Sequence, residues 1–96
     1  MAVLAGSPQK HEFFIARIKI PAHYQIPAHS HPINEYDTVI SGELHIKLTE
    51  NGSTHETILK PGDFISVPAK FPHVAYTTQE TILQISGIGP WGMIYS

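Results

Sequence analysis

The sequence contains no cysteine. That excludes a disulfide framework and any thiolate metal site. Charged residues are scarce, at 15%, and the net charge is only −2 with histidines neutral. Such a balance suggests neither a nucleic-acid partner nor an anionic membrane surface. No apolar run approaches the length that spans a bilayer. The opening stretch, Met1 to Gly6, is apolar but too short for a signal peptide and carries no basic region. A cytoplasmic location is the expectation. Helical spacing of apolar residues is also missing. Pro21, Pro27, Pro32, Gly42, Gly52, Pro61, Gly62, Pro68 and Pro72 interrupt the chain too often for it.

What remains between those breaks is short runs rich in Ile, Val, Thr, Tyr and Phe. They read as an antiparallel all-β sandwich or barrel. With 96 residues the chain fits one domain, 1–96. Hydrophobic content of 42% is that of a globular chain. A domain this small buries only roughly 60–65% of its unfolded surface, so association with a second copy would help it.

Residues 12–20 read as a first strand after an N-terminal extension, 1–11. Phe14, Ala16, Ile18 and Ile20 share one face, and Phe13, Ile15, Arg17 and Lys19 the other. The second face is half apolar, which predicts a homodimer packed on Phe13, Ile15 and Tyr36. A short strand over 24–28 leads into a pair of histidines. Residues 35–41 form the next strand, closed by a turn at Ser41-Gly42. Over 43–49 the alternation is clean, with Leu44, Ile46 and Leu48 inward and Glu43, His45 and Lys47 outward. Asn51-Gly52 is a strong hairpin signal, and 53–59 returns as the partner strand. Strands over 63–67, 73–78 and 80–86 follow. About eight strands with short turns suit a double-sheet jelly roll. The tail, 87–96, is too glycine-rich for a regular strand and is expected to pack back on the barrel.

Seven histidines are many for this length. His29 and His31 stand two apart, so in a strand both imidazoles reach toward one point. Glu35 follows four residues later. Two imidazoles and a carboxylate suit a divalent metal, and His73 is the best candidate for a fourth ligand. If 35–41 is a regular strand, Asp37 shares the face of Glu35. A buried carboxylate needs a partner, and a ligating imidazole's free N–H would supply one; Asp37 is also a candidate catalytic acid–base group. His11, His45 and His55 read as solvent-facing. His23, Tyr24, Tyr36, Trp91 and Tyr95 are candidates for pocket or interface walls.

These residues also fit a pattern. His29, His31, Glu35 and Gly42 follow H-x-H-x3-E-x6-G, which resembles the first motif of the cupin family. Gly62, Pro68 and His73 fall where the second cupin motif, G-x5-P-x-G-x2-H-x3-N, has its Gly, Pro and His. The chain departs from the pattern at Lys70, where the motif has Gly, at Thr77, where it has Asn, and at His23, where a Gly usually precedes the first His. The resemblance runs from Phe13 to Ile85. It implies a single-domain cupin jelly-roll β-barrel whose metal ligands are His29, His31, Glu35 and His73. The tail resembles the G-x-G-P-aromatic-G ending of some small bacterial cupins.

Four protein ligands leave one or two coordination positions open. The expected cofactor is one divalent transition-metal ion per chain, with Fe, Mn, Ni, Co, Cu and Zn all compatible with N and O donors. The expected partner is a small oxygenated molecule, such as an anion with a carboxylate or vicinal oxygens. A metalloenzyme of dioxygenase, isomerase or lyase type is one functional expectation. The alternative is a non-catalytic, metal-dependent ligand-binding or sensor module.

Overall fold

In the computed structural model, which describes residues 1–95, every regular element is a strand. Among the described residues no helix is long and apolar enough to cross a membrane. The strands are β1 (Ala2–Ala5), β2 (Phe13–Ile20), β3 (Gln25–Ser30), β4 (Glu35–Ser41), β5 (Leu44–Glu50), β6 (Ser53–Leu59), β7 (Phe64–Val67), β8 (His73–Thr77), β9 (Thr81–Ile88) and β10 (Ile94–Tyr95). They form two five-stranded antiparallel sheets, β1-β2-β9-β4-β7 and β10-β3-β8-β5-β6. The all-β jelly roll expected from the sequence is therefore present, with ten strands where about eight were expected. Both extra strands are short and lie at sheet edges. β1 pairs with β2, and β10 pairs with β3. The tail is thus partly a strand, contrary to the expectation from its glycine content.

The core follows from period-two alternation on the facing sheets. Phe14, Ala16 and Ile20 on β2 meet Val39 on β4, Leu44 and Ile46 on β5, and Leu83 and Ile85 on β9. The outward partners Phe13, Arg17 and Lys19 are exposed, as the alternation predicts. The β5–β6 hairpin turns at Asn51 and Gly52, with φ of 52° and 79°. Two positive φ values in succession match the twist of the flanking strands.

His45 departs from its expected exposure. It points outward from β5 yet is only 9% exposed. Its cross-strand neighbour Tyr76 stacks on it with ring centroids 4.5 Å apart. Glu43 lies 3.2 Å from one ring nitrogen and Glu56 3.6 Å from the other. Tyr76 donates its hydroxyl to Glu56. Long side chains on the outer face bury the ring, which alternation alone does not anticipate.

Two of the three departures from the motif fall at backbone positions of special geometry. His23 and Lys70, which stand where the family pattern has Gly, have φ of 54° and 63°. Thr77, standing where the pattern has Asn, ties the loop before β3 to β8. Its hydroxyl donates to the carbonyl of Pro21 at 2.6 Å and accepts from the Tyr24 amide at 3.2 Å. At Gly42, φ is 83° and an added Cβ would lie 2.3 Å from the Glu80 carbonyl oxygen.

These geometries set opposite expectations for two substitutions. Lys70→Gly should stabilise the fold by about 0.5–1 kcal/mol, because relief of left-handed strain exceeds the entropy that Gly adds to the unfolded chain. Gly42→Ala should destabilise it by about 2–3 kcal/mol through strain and overpacking. Urea denaturation of the two variants checks both signs; a destabilised Lys70→Gly would refute the first.

Candidate metal centre

The site is assembled from both sheets. His29 at the end of β3 and His73 at the start of β8 are direct cross-strand partners. The register of this pair slips by one residue between Ile26 and His29. A bulge here reverses which residues of β3 face inward, and Pro27, lacking an N–H, suits an interrupted ladder. Ile26 lines the interior before the bulge and His29 after it. His31 follows β3 directly. Glu35 and Asp37 project inward from β4 in the opposite sheet and are 4% and 3% exposed.

His29, His31 and His73 each offer a ring nitrogen, and those nitrogens lie within 4.8 Å of one another. Ring centroids are 4.9 Å apart for His29–His31, 4.2 Å for His29–His73 and 5.3 Å for His31–His73. In all three residues Nδ1 lies against a backbone carbonyl oxygen: Pro27 at 2.8 Å, Gly92 at 2.7 Å and Phe71 at 3.0 Å. A carbonyl oxygen only accepts, so each Nδ1 carries the hydrogen. In the neutral ring Nε2 then holds the lone pair. Burial lowers the pKa of His29 and His73 below the ordinary histidine value, outweighing the backbone hydrogen bonds that raise it. Three imidazoles with fixed Nδ1 partners and converging nitrogens fit a borderline divalent metal.

Glu35 lies beside this triad, outside the set of mutually close nitrogens. Its Oε2 is 3.4 Å from His31 Nε2 and accepts the Trp91 indole N–H at 2.6 Å. Asp37 does share the face of Glu35, as expected. However, it does not take up an imidazole N–H, since all three Nδ1 groups donate to backbone. Its neighbour is Glu35. Burial raises the Asp37 pKa well above the ordinary carboxylate value, and the charge and hydrogen bond of Glu35 raise it further. One Asp37 oxygen, Oδ1, is buried without a hydrogen-bond partner.

The sequence reading missed the part played by the tail. Trp91 holds Glu35 and stacks on His31 at 5.6 Å between centroids. Gly92 supplies the carbonyl that fixes the His31 tautomer. β10 lies against β3 in register with Ser30 and His29. Trp91 is the only tryptophan in the chain, and its place in the G-x-G-P-aromatic-G ending marked it as a candidate wall without indicating the bond to Glu35. Tyr24 and Tyr95 line the cavity in front of the histidines. Tyr36 instead stacks on Phe64 on the outer face, and His23 is not among the cavity walls.

Residues 16–85 match the family model described as the cupin domain. The chain belongs to the cupin family. This cupin superposes on a cupin-2 domain containing protein from Shewanella frigidimarina with a TM-score of 0.72 at 18% identity, covering 91% of this chain and 78% of that one. Against an oxalate oxidase the TM-score is 0.75 at 20% identity, covering 86% and 45% of the two chains. Against the DMSP lyase DddQ from Ruegeria pomeroyi it is 0.77 at 21%, covering 91% and 44%. The chain spans less than half the length of the latter two. At these identities the likeness establishes the fold alone. No curated protein matches the chain in sequence.

The pKa directions set opposite slopes for the stability of the metal-free protein. His29 and His73 have folded values below about 6.5, so the stability they contribute is present above that pH and lost as pH falls from there through the lowered values. Asp37 has a folded value above 3.8, so its contribution is full below that pH and lost as pH rises through the raised value. Asp37→Asn should therefore steepen the rise of metal-free stability with increasing pH. Urea midpoints between about pH 4 and pH 8 test this; an unchanged slope would contradict it.

Proposed function

We propose that this cupin is a metalloenzyme acting on a small oxygenated molecule at a metal held by His29, His31, His73 and Glu35. The observation that carries this is the three converging imidazoles, each with Nδ1 donated to a backbone carbonyl. A divalent transition metal there supplies Lewis-acid or redox chemistry when bound. His29, His31 and His73 would hold the metal through their ring nitrogens, and the cavity they line would receive the ligand. Glu35, whose Oε2 already lies 3.4 Å from His31 Nε2, would be the fourth protein donor. Asp37 holds a proton next to Glu35 and is the acid–base group of the site.

The second reading is a metal-dependent binding or sensor module. One observation favours it: among the described residues, Glu35 and Asp37 are the only side-chain carboxyl groups lining the cavity. Proton-transfer machinery beyond them is thin. In both readings we treat residues 1–96 as one domain and place the protein in the cytoplasm, which cell fractionation would test.

A homodimer belongs to the same proposal. Phe13 and Ile88 are ladder partners, Tyr36 sits opposite Ser66 and Ser86, and Phe64 sits opposite Thr38. Ladder partners share a face, so all four apolar residues stand on the outer surface of one sheet. Each is exposed. An apolar sheet face of this kind suits a two-fold partner.

Three outcomes check these proposals. Purified protein should carry close to one transition-metal ion per chain by elemental analysis, and the His31→Ala, His73→Ala double variant should lose it; full occupancy in that variant would sink the assignment. Asp37→Asn should keep the metal but lower turnover by about 10²-fold or more. Altered ligand affinity with no turnover in either protein, across hydroxy acids, diketones and sugars with and without oxygen, would favour the binding module. Sedimentation on the order of tens of micromolar protein should show a dimer, and Phe13→Asp should shift it to monomer.

A further inference from the structure

The interior is more selective than the donor set alone implies. Behind and beside the histidines lies a cavity of about 510 Å³, within the range of small-molecule pockets. Its buried polar groups are the three imidazoles, Glu35 and Asp37, while Tyr24 and Tyr95 line it from exposed positions. The remaining inner wall is hydrocarbon, built by Ile18, Ile26, Leu44, Ile46, Leu83 and Ile85. These residues come from β2, β3, β5 and β9, each at an inward position of its strand.

Of all the lining residues, Lys19 is the only lysine or arginine. Its side chain is 68% exposed, and its ammonium leans outward to Glu80 at 3.8 Å. The other cation among the described lining residues is the N-terminus of Met1, itself 58% exposed. Both cations therefore sit toward solvent, and none belongs to the Ile and Leu wall. A second anionic group on a ligand would be stripped of water against hydrocarbon with nothing to pair it. Methylene or aromatic surface in the same place would gain from burial.

We propose that the cavity takes a molecule with a single oxygenated head, bound at the metal, and an uncharged apolar body, and that it rejects molecules with a second charge at the far end. The contact of the head rests on the metal reading above; the selection of the body rests on the walls. A short-chain or single-ring monocarboxylate, or a keto or enol compound of that size, meets both conditions. A dicarboxylate of the same length does not.

Hexanoate and adipate form a matched pair, since adipate differs by a carboxylate at the far end; acetate lacks the body. Calorimetric titration of the zinc-loaded protein should show hexanoate binding about tenfold or more tightly than acetate, from buried methylenes. It should also bind about tenfold or more tightly than adipate, from the unpaired charge. Ile18→Lys places an ammonium at a half-buried wall position and should move the preference toward adipate by about tenfold. If that variant fails to fold, the wild-type comparison decides alone. Adipate or acetate binding as tightly as hexanoate to the zinc-loaded wild type overturns the proposal.

A titration with zinc alone separates the two layers. Failure to bind zinc would overturn the metal reading and leave the walls to be tested with 1-hexanol, which needs no metal. Shifts of the Leu44, Ile46 and Leu83 methyl signals on adding 1-hexanol to the metal-free protein would then support the apolar cavity. Their absence would overturn it.

Discussion

Three backbone carbonyls decide what this site can do. The carbonyls of Pro27, Phe71 and Gly92 each take the Nδ1 hydrogen of one histidine. They come from a bulge in β3, from the approach to β8 and from the tail. A side-chain partner could rotate or change its protonation state, whereas a main-chain carbonyl in a packed structure does neither. The tautomers and ring directions are therefore built into the backbone path, and burial keeps His29 and His73 neutral. The site is organised before any ligand arrives, which reduces the ordering cost of binding.

The opposite sheet supplies the acidic half. Glu35 and Asp37 alternate on β4 with Tyr36 between them, so the pleat that buries two carboxyls also exposes an aromatic ring on the outer face. Two carboxyls side by side in a low-dielectric interior are unfavourable when both are charged. Protonation of Asp37 relieves this, and Trp91 stabilises Glu35 with an indole N–H. The tail therefore does more than cover the barrel. Its amides also bind back to the N-terminal segment, Trp91 to Pro8 and Gly89 to Glu12. The segment between β1 and β2 thus anchors the tail that orients His31 and Glu35.

Much of this was legible in the sequence, and the reasons are local. Alternation placed Phe14, Ala16 and Ile20 inside and Phe13 outside, because a strand side chain has only two directions to take. Asn51-Gly52 placed the β5–β6 hairpin, because few residue pairs tolerate two successive positive φ values. The spacing of His29 and His31 brought both to one face, and the cupin resemblance added His73. Tertiary structure decided the rest. It set the bulge at Pro27 that aligns His29 with His73, because register depends on both strands. Glu43 is a same-face neighbour of His45, but Tyr76 and Glu56 lie on β8 and β6, so its burial is a property of the assembled face. The bond from Trp91 to Glu35 joins residues 56 positions apart, and only the return of the tail across β3 closes that distance.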